Sequence, residues 1–278
     1  MSNTPKIYKT NGDLVPFDKS KVKESLVRSG ARESIADQVT KQVAQEVEPK
    51  MSTTDIYRIA FNLLEEYKQG GAAARYTLKR SIMEFGPTGF PFEQFVGEIL
   101  SHRGFETQVG VKMEGECVNH EVDVVAKKDD KHFLMECKFH HKTGIKTNVK
   151  VPMYIHSRFR DIQRKKNKEE KKDANHSFWV VTNTRFTNDA TNFGECMGMN
   201  MLGWRHPQSG GLEIWIEETN LHPVTCLTTI EENWKSKLLK NDLVLCKDLI
   251  KNKDELKSFG LNEERVENLT EEAKKVCG

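Results

Sequence analysis

The sequence predicts an α+β chain of more than one domain, on three observations. Hairpin, cap and helical-period signals fill residues 6–85, a strand–turn–strand pattern covers His120 to Lys138, and a Leu- and Lys-rich helical stretch follows Pro223. A length of 278 residues is enough for two domains and a smaller third. The expected boundaries are 1–88 for a mostly helical domain with a β-hairpin, 89–222 for an α/β core, and 223–278 for a small helical region.

In the first segment, KIYKT and DLVPF flank Asn11-Gly12, the strongest short-range hairpin signal. Asp18 is a good N-cap for a helix with Val22, Leu26 and Val27 on one side. Ile35, Val39, Val43 and Val47 recur every four residues and predict a helix over 33–48, stopped by Pro49. Ser52 or Thr53 caps a third helix with Ile56, Ile59, Ala60, Leu63 and Leu64 on its apolar face. Gly70-Gly71 breaks the chain before a fourth, AAARYTLKRSIMEF, and GPTGFP at 86–91 reads as a linker.

In the second segment a helix with Phe92, Phe95, Val96, Ile99 and Leu100 precedes a strand near 107–113. EVDVVA and HFLMECK then form a hairpin around KKDDK. A turn at Asp129-Asp130 pairs Lys128 with Lys131, and the same register faces Asp123 with Glu136 and Glu121 with Lys138. Residues two apart share a face, so Asp123, Glu136 and Lys138 point one way. Paired Cβ atoms about 5 Å apart let two carboxylates share a divalent cation. The contrary reading places these charges on a solvated face. Val122, Val124, Val125, Phe133, Leu134 and Met135 argue against it, because so apolar a pair belongs inside a sheet, where charges need partners.

Charged residues make up 30% of the chain but the net charge is +2, so any nucleic-acid surface must be a local patch. Cysteines 117, 137, 196, 226, 246 and 277 form no CxxC, which suits reduced thiols better than disulfides or a zinc site. No apolar run has the length of a membrane span and the N-terminus lacks a signal-peptide core. A cytoplasmic protein without a membrane partner is the expectation.

Residues 1–88 resemble the ATP-cone, a regulatory domain that binds ATP or dATP. The matching signature is Lys9-Thr10-Asn11-Gly12, Val15, Phe17-Asp18, Lys21 and Thr53. The resemblance implies an adenine nucleotide held there. Lys9 and Lys21 would neutralise phosphates, Thr53 would offer a hydroxyl at a helix N-terminus, and Arg75, Lys79 and Arg80 would reach in from the last helix. Many members carry a second basic residue where Thr10 stands, which leaves ATP against dATP open.

Helix, strand, Asp-bearing strand and Glu-x-Lys strand, in that order, resemble the restriction-endonuclease-like PD-(D/E)XK superfamily, in particular its Mrr-like branch. Phe92-Glu93, Gly104-Phe105, Glu121-Val122-Asp123, Glu136-Cys137-Lys138 and FWVVTNTRFTNDA are the matching pieces, over about 90–216. This implies a restriction-endonuclease-like core with a central mixed sheet. Asp123, Glu136 and Glu93 would hold Mg²⁺ (or Mn²⁺), with a backbone carbonyl beside Glu136 as a further oxygen. Lys138 would orient or deprotonate the attacking water, or stabilise the phosphorane. Glu98 competes with Glu93, and Glu121 could instead pair with Lys138. On the following loop and helix, Lys142, Lys146 and Arg158 are the expected phosphate contacts. The run QRKKNKEEKK, offset by Glu169, Glu170 and Asp173, reads as a solvated helix end. In the tail, SFGLNEERVENL weakly resembles part of a helix-turn-helix, with dimerisation the alternative.

Together these imply a nucleotide-regulated, Mg²⁺-dependent endonuclease acting on DNA, in prokaryotic defence, as a homo-oligomer (dimer or tetramer). A nucleotide-responsive DNA-binding regulator with a non-cutting nuclease fold, or a nuclease acting on RNA, is the alternative.

Overall fold

The structure, a computed structural model, describes residues 4–9, 12–129, 131–170 and 176–277. Thr10 and Asn11 of the first expected turn, Asp130 of the second, and Asp173 with the lysines beside it lie outside the described residues. The chain folds into two compact units: residues up to Ser81 together with those from His222 on, and residues Ile82–Leu221.

The first unit opens with antiparallel β1 (Lys6–Tyr8) and β2 (Leu14–Pro16), in register Ile7 to Val15. Gly12, at φ +87°, donates to the Lys9 carbonyl at 2.9 Å and so closes the turn in a conformation few residues other than glycine adopt. Then come α1 (Lys19–Arg28), α2 (Glu33–Glu46), α3 (Thr53–Glu66), α4 (Gly70–Tyr76) and α5 (Leu78–Met83). Asp18 caps α1 by accepting from the Ser20 N–H. Ser52, not Thr53, caps α3, in a reciprocal box with Asp55. The expected fourth helix is two, because Thr77 turns its hydroxyl back on the Ala74 carbonyl and shares a hydrogen bond with Ser81. Val22, Leu26, Val39, Val43, Ile56, Ala60 and Leu64 meet in the core of these helices, whereas Val27 is 44% exposed.

The second unit follows: α6 (Phe90–His102), β3 (Glu106–Glu114), β4 (Asn119–Lys128), β5 (Lys131–Lys138), β6 (Lys146–Thr147), α7 (Lys150–Glu170), β7 (His176–Thr182), β8 (Arg185–Phe186), α8 (Asn188–Cys196), β9 (Asn200–Leu202) and α9 (Leu212–Thr219). The sheet order is β3-β4-β5-β7-β9, antiparallel through β5 and parallel beyond it, which is the mixed sheet expected. The long connection carrying α7 is what two parallel neighbours, β5 and β7, require. Leu134 and Met135 are consecutive and both within 1% of full burial, so β5 is covered on both faces. Ile155, Phe159 and Ile162 of α7 pack on Val122, Leu134, Phe178 and Val180.

The chain then returns to the first unit with α10 (Glu232–Lys240), α11 (Cys246–Lys251), α12 (Lys253–Ser258) and α13 (Glu263–Cys277). The turns expected near Asn241 and Lys251 fall at Asn241 and Asn252, the C-caps of α10 and α11. Helix α13 lies against α4 and α11. All six cysteines are free, and among the described residues no helix is long and apolar enough to cross a membrane.

Candidate active site

The register read from the sequence holds, with Lys128 facing Lys131 and Val124 facing Met135. There the β4–β5 ladder ends, although β4 reaches back to Asn119 and β5 runs on to Lys138. The strands part just where Asp123 would face Glu136. On the other side of Asp123 the β3–β4 ladder skips a pair as well, opposite Gly110 at φ +66°. The Asp123 carboxylate takes the backbone N–H of Cys137 at 2.7 Å, in place of a ladder bond. A fork results, with Asp123 on one prong and Glu136 and Lys138 on the other.

Glu93 comes to this fork from the first turn of α6, where the helix dipole favours a carboxylate. Burial, then the charges of Asp123 and Glu136, push its carboxyl up to about 7. Burial and the Asp123 charge push Glu136 to about 7 as well, and burial raises Asp123. These shifts describe carboxylates gathered in a half-dry place without enough positive charge. Glu98, the competitor of Glu93, is exposed, with its carbonyl 3.0 Å from the His102 Nδ1. Lys138 is exposed and, among the described residues, forms no ion pair, with Glu121 or any other acid.

Arg158 is where the structure departs from expectation. It faces the fork instead of a phosphate at the rim. One nitrogen donates to Glu136 Oε2 at 2.9 Å and the other to the Glu121 carbonyl, so the guanidinium spans the two parted strands. Its carbon lies 5.4 Å from the centre of the Tyr154 ring. Lys142 and Lys146 are exposed, as phosphate contacts must be.

Sequence reasoning missed Asp161, one turn after Arg158 on α7. Its carboxylate accepts from the Cys117 and Val118 N–H groups and lies 2.9 Å from the His120 Nε2, fastening the β3–β4 turn to the helix. The His120 contact is the first cause of its carboxyl falling to about 2. Also missed were Thr147, Thr182 and Asn183, buried beyond β5. The trace of Thr182 and Asn183 was TNT, 182–184, closing an apolar strand.

At the expected nucleotide site, the Tyr8 N–H donates to the Met51 carbonyl, which sets the hairpin beside the start of α3. That brings Lys9 and Thr53 to one edge, with Val15 and Phe17 half-buried on the helical core. Lys21 pairs with Asp18 at 3.4 Å. Arg75 does not join them. Its guanidinium donates to the carbonyls of Ser29, Lys275 and Val276. Ser29 is the C-cap of α1 and Asp18 its N-cap, so the rise of the helix sets the carbonyl held by Arg75 about 16 Å from Asp18 and about 12 Å from Lys21 along the axis. Lys79 lies half-buried on α5.

Among the described residues, no three His, Cys, Asp or Glu side chains form a ready-made metal cage. Mg²⁺ needs none, since it takes one or two carboxylates and fills its shell with water and substrate oxygen. Asp123 and Glu136, with Glu93 beyond, are hard oxygen donors short of positive charge, and they fit such an ion.

Known families divide the chain in the same order. The ATP cone domain matches residues 5–84, a restriction endonuclease domain of the Mrr type 87–202, and the C-terminal domain of AF1548-like proteins 222–277. An uncharacterized protein of Archaeoglobus fulgidus is 33% identical over 187 residues, 66% of this chain and the whole of that one. The chain belongs to the AF1548-like family. The crystal structure of AF1548, a protein of unknown function, covers 69% of this chain and 99% of its own, at 32% identity and a TM-score of 0.58. This AF1548-like protein thus joins an ATP-cone to a restriction-endonuclease-like nuclease domain.

Proposed function

We propose that this protein is a Mg²⁺-dependent endonuclease that hydrolyses DNA phosphodiester bonds in the cytoplasm, under control of ATP or dATP bound by its ATP-cone. Defence against foreign DNA and a homo-oligomeric state belong to this reading, since cutting both strands calls for two sites. The observation that carries it is the fork, where burial raises the carboxyls of Glu93, Glu136 and Asp123, the Asp123 charge adds to the rise of the first two, and Lys138 forms no ion pair among the described residues.

A bound Mg²⁺, or Mn²⁺, held by Asp123 and Glu136 with Glu93 directly or through water, would polarise the phosphate and acidify a water. The Cys137 N–H fixes the Asp123 carboxylate in place. Lys138 orients the attacking water or offsets charge on the phosphorane. Lys142 and Lys146 meet the phosphate backbone and attract it in a salt-dependent way. Lys9 and Lys21, near Val15, Phe17, Asp18 and Thr53, hold the nucleotide phosphates.

Plasmid DNA incubated with Mg²⁺ tests the chemistry beside Asp123→Ala and Lys138→Ala, each with and without ATP, dATP or ADP. Both variants are expected to lose cutting, and undiminished cutting by either removes the site. Calorimetry with the same nucleotides tests the sensor separately, and no binding by any of them ends that part.

Arg158 favours a second reading, a nucleotide-responsive DNA-binding regulator that does not cut, because its guanidinium already holds the Glu136 carboxylate. DNA retention without cleavage across Mg²⁺ and Mn²⁺ would support it. An RNA substrate in the same assay decides between the nucleic acids.

A further inference from the structure

The chemistry-bearing side of β5 continues past the end of the strand. The His140 N–H donates to Asn183 Oδ1 at 2.9 Å, and Asn183 Nδ2 donates back to the His140 carbonyl at 2.7 Å. That reciprocal pair is what the backbone of a neighbouring strand supplies, here delivered by a side chain. Residues two apart on an extended chain share a face, so His140 follows Glu136 and Lys138. Burial, and then the Lys138 charge, hold its imidazole below the ordinary histidine pKa.

Behind His140 lies a set of polar side chains with almost no solvent: Thr147 at 1% exposure, Thr182 at 0%, Asn183 at 1% and Thr184 at 3%. Groups so buried must find their partners within the protein. The proton order from Lys138 to His140 follows from one carbonyl. Thr182 Oγ1 donates its one proton to the Lys138 carbonyl, 2.8 Å away, because a carbonyl can only accept. Thr182 is then an acceptor toward its other neighbours: the Thr147 hydroxyl donates to it at 3.2 Å and the Thr184 N–H at 3.3 Å, with the Thr184 hydroxyl 3.2 Å away. With its proton spent, Thr147 can only accept from His140 Nε2 at 3.0 Å. A neutral imidazole protonated at Nε2 leaves Nδ1 as a lone pair.

We propose that Thr147, Thr182 and Asn183 are positioning residues for the nuclease reaction, forming a buried relay that tethers the main chain of Lys138 and sets His140 beside it with Nδ1 unprotonated. The inference rests on the nuclease reading above, because Lys138 matters only if the fork cuts. A relay of this kind acts as a unit, since each hydroxyl polarises the next. Thr182 is its centre, touching Lys138 on one side and Thr147 on the other.

Two measurements on the full chain test it. In single-turnover cleavage of plasmid with Mg²⁺, Thr182→Val should lower the rate at saturating enzyme roughly ten- to hundredfold, with little change in DNA affinity, the scale on which lost outer support is felt at metal sites. Thr182→Ser keeps the hydroxyl and should restore most of that rate. If Thr182→Val does not fold, Thr147→Val leaves the Lys138 tether intact and should show a smaller loss of the same kind. Independently of activity, ¹⁵N–¹H correlation of the imidazole rings, assigned against His140→Gln, should find His140 protonated at Nε2.

A wild-type rate in Thr182→Val overturns the relay and leaves the nuclease reading standing. A His140 protonated at Nδ1 overturns it whether or not DNA is cut. A wild type that cuts neither DNA nor RNA removes the nuclease reading, and the positioning role with it.

Discussion

Arg158 is the residue whose role changed most between sequence and structure. In a string of basic residues after a catalytic strand, an arginine belongs at the phosphate rim. Helical phase turns Arg158 inward, where Glu136 and the Glu121 carbonyl take its donors. Its side chain is 14% exposed and that of Glu136 18%, so this is a mostly dry ion pair. Removing one partner leaves the other charge and a strand carbonyl unsatisfied. We therefore expect Arg158→Ala to lower unfolding free energy in urea by about 2–3 kcal/mol, below the range for fully buried pairs because some solvent reaches this one. Mg²⁺ should recover part of that loss by taking over the Glu136 carboxylate. No recovery with Mg²⁺ would mean that Glu136 does not bind metal.

At the scale of elements, the β4–β5 hairpin was legible because alternation and a two-residue turn dictate register, and a register shift by one would have put Asp123 on the wrong face. The end of the ladder was not legible. It depends on Gly110 in a neighbouring strand and on a helix arginine filling the gap, neither of which lies in the hairpin. The pairing of Glu93 with the fork was half legible: the helix was predicted, but only its packing on the sheet separates Glu93 from Glu98. Helix caps were more nearly local. Ser52→Ala breaks the box that starts α3, and should cost about 1 kcal/mol, read as a lower urea midpoint at an unchanged slope. Loss of that amount would also loosen the edge where β1 meets α3.

The start of the C-terminal segment adds a pH dependence. His222 is 3% exposed, its carbonyl accepts from the Cys246 N–H, and burial, then the charge of Arg75, push its imidazole down to about 4 from 6.5. The folded form thus resists a proton that the unfolded chain accepts. Stability from this group is complete above pH 6.5 and lost as pH falls through 6.5 toward 4, by about 3 kcal/mol at full effect. Urea unfolding at pH 7 and pH 4.5 should show a smaller drop for His222→Gln than for the wild type. Equal drops would place the acid sensitivity elsewhere.

Across the whole molecule, three consecutive family segments become two compact units, because the C-terminal segment folds with the N-terminal one. Sequence periodicity finds helices but not the partner of their apolar faces, and α13 buries Val266, Leu269, Ala273 and Val276 on one side. Arg75 supplies a polar tie, joining the C-cap of α1 to the last carbonyls of α13. A helix whose final carbonyls lose their donors frays from that end. Arg75→Met keeps the length of the side chain and removes its hydrogen bonds. Hydrogen exchange should then quicken at the amides of the last turns of α13 and near Ser29, with the fork amide of Cys137 unchanged. A chain ending at residue 221 carries the same change further. If the C-terminal segment were an independent domain, its removal would leave the melting of the helical N-terminal unit untouched; shared packing of α4 and α13 predicts a lower midpoint instead.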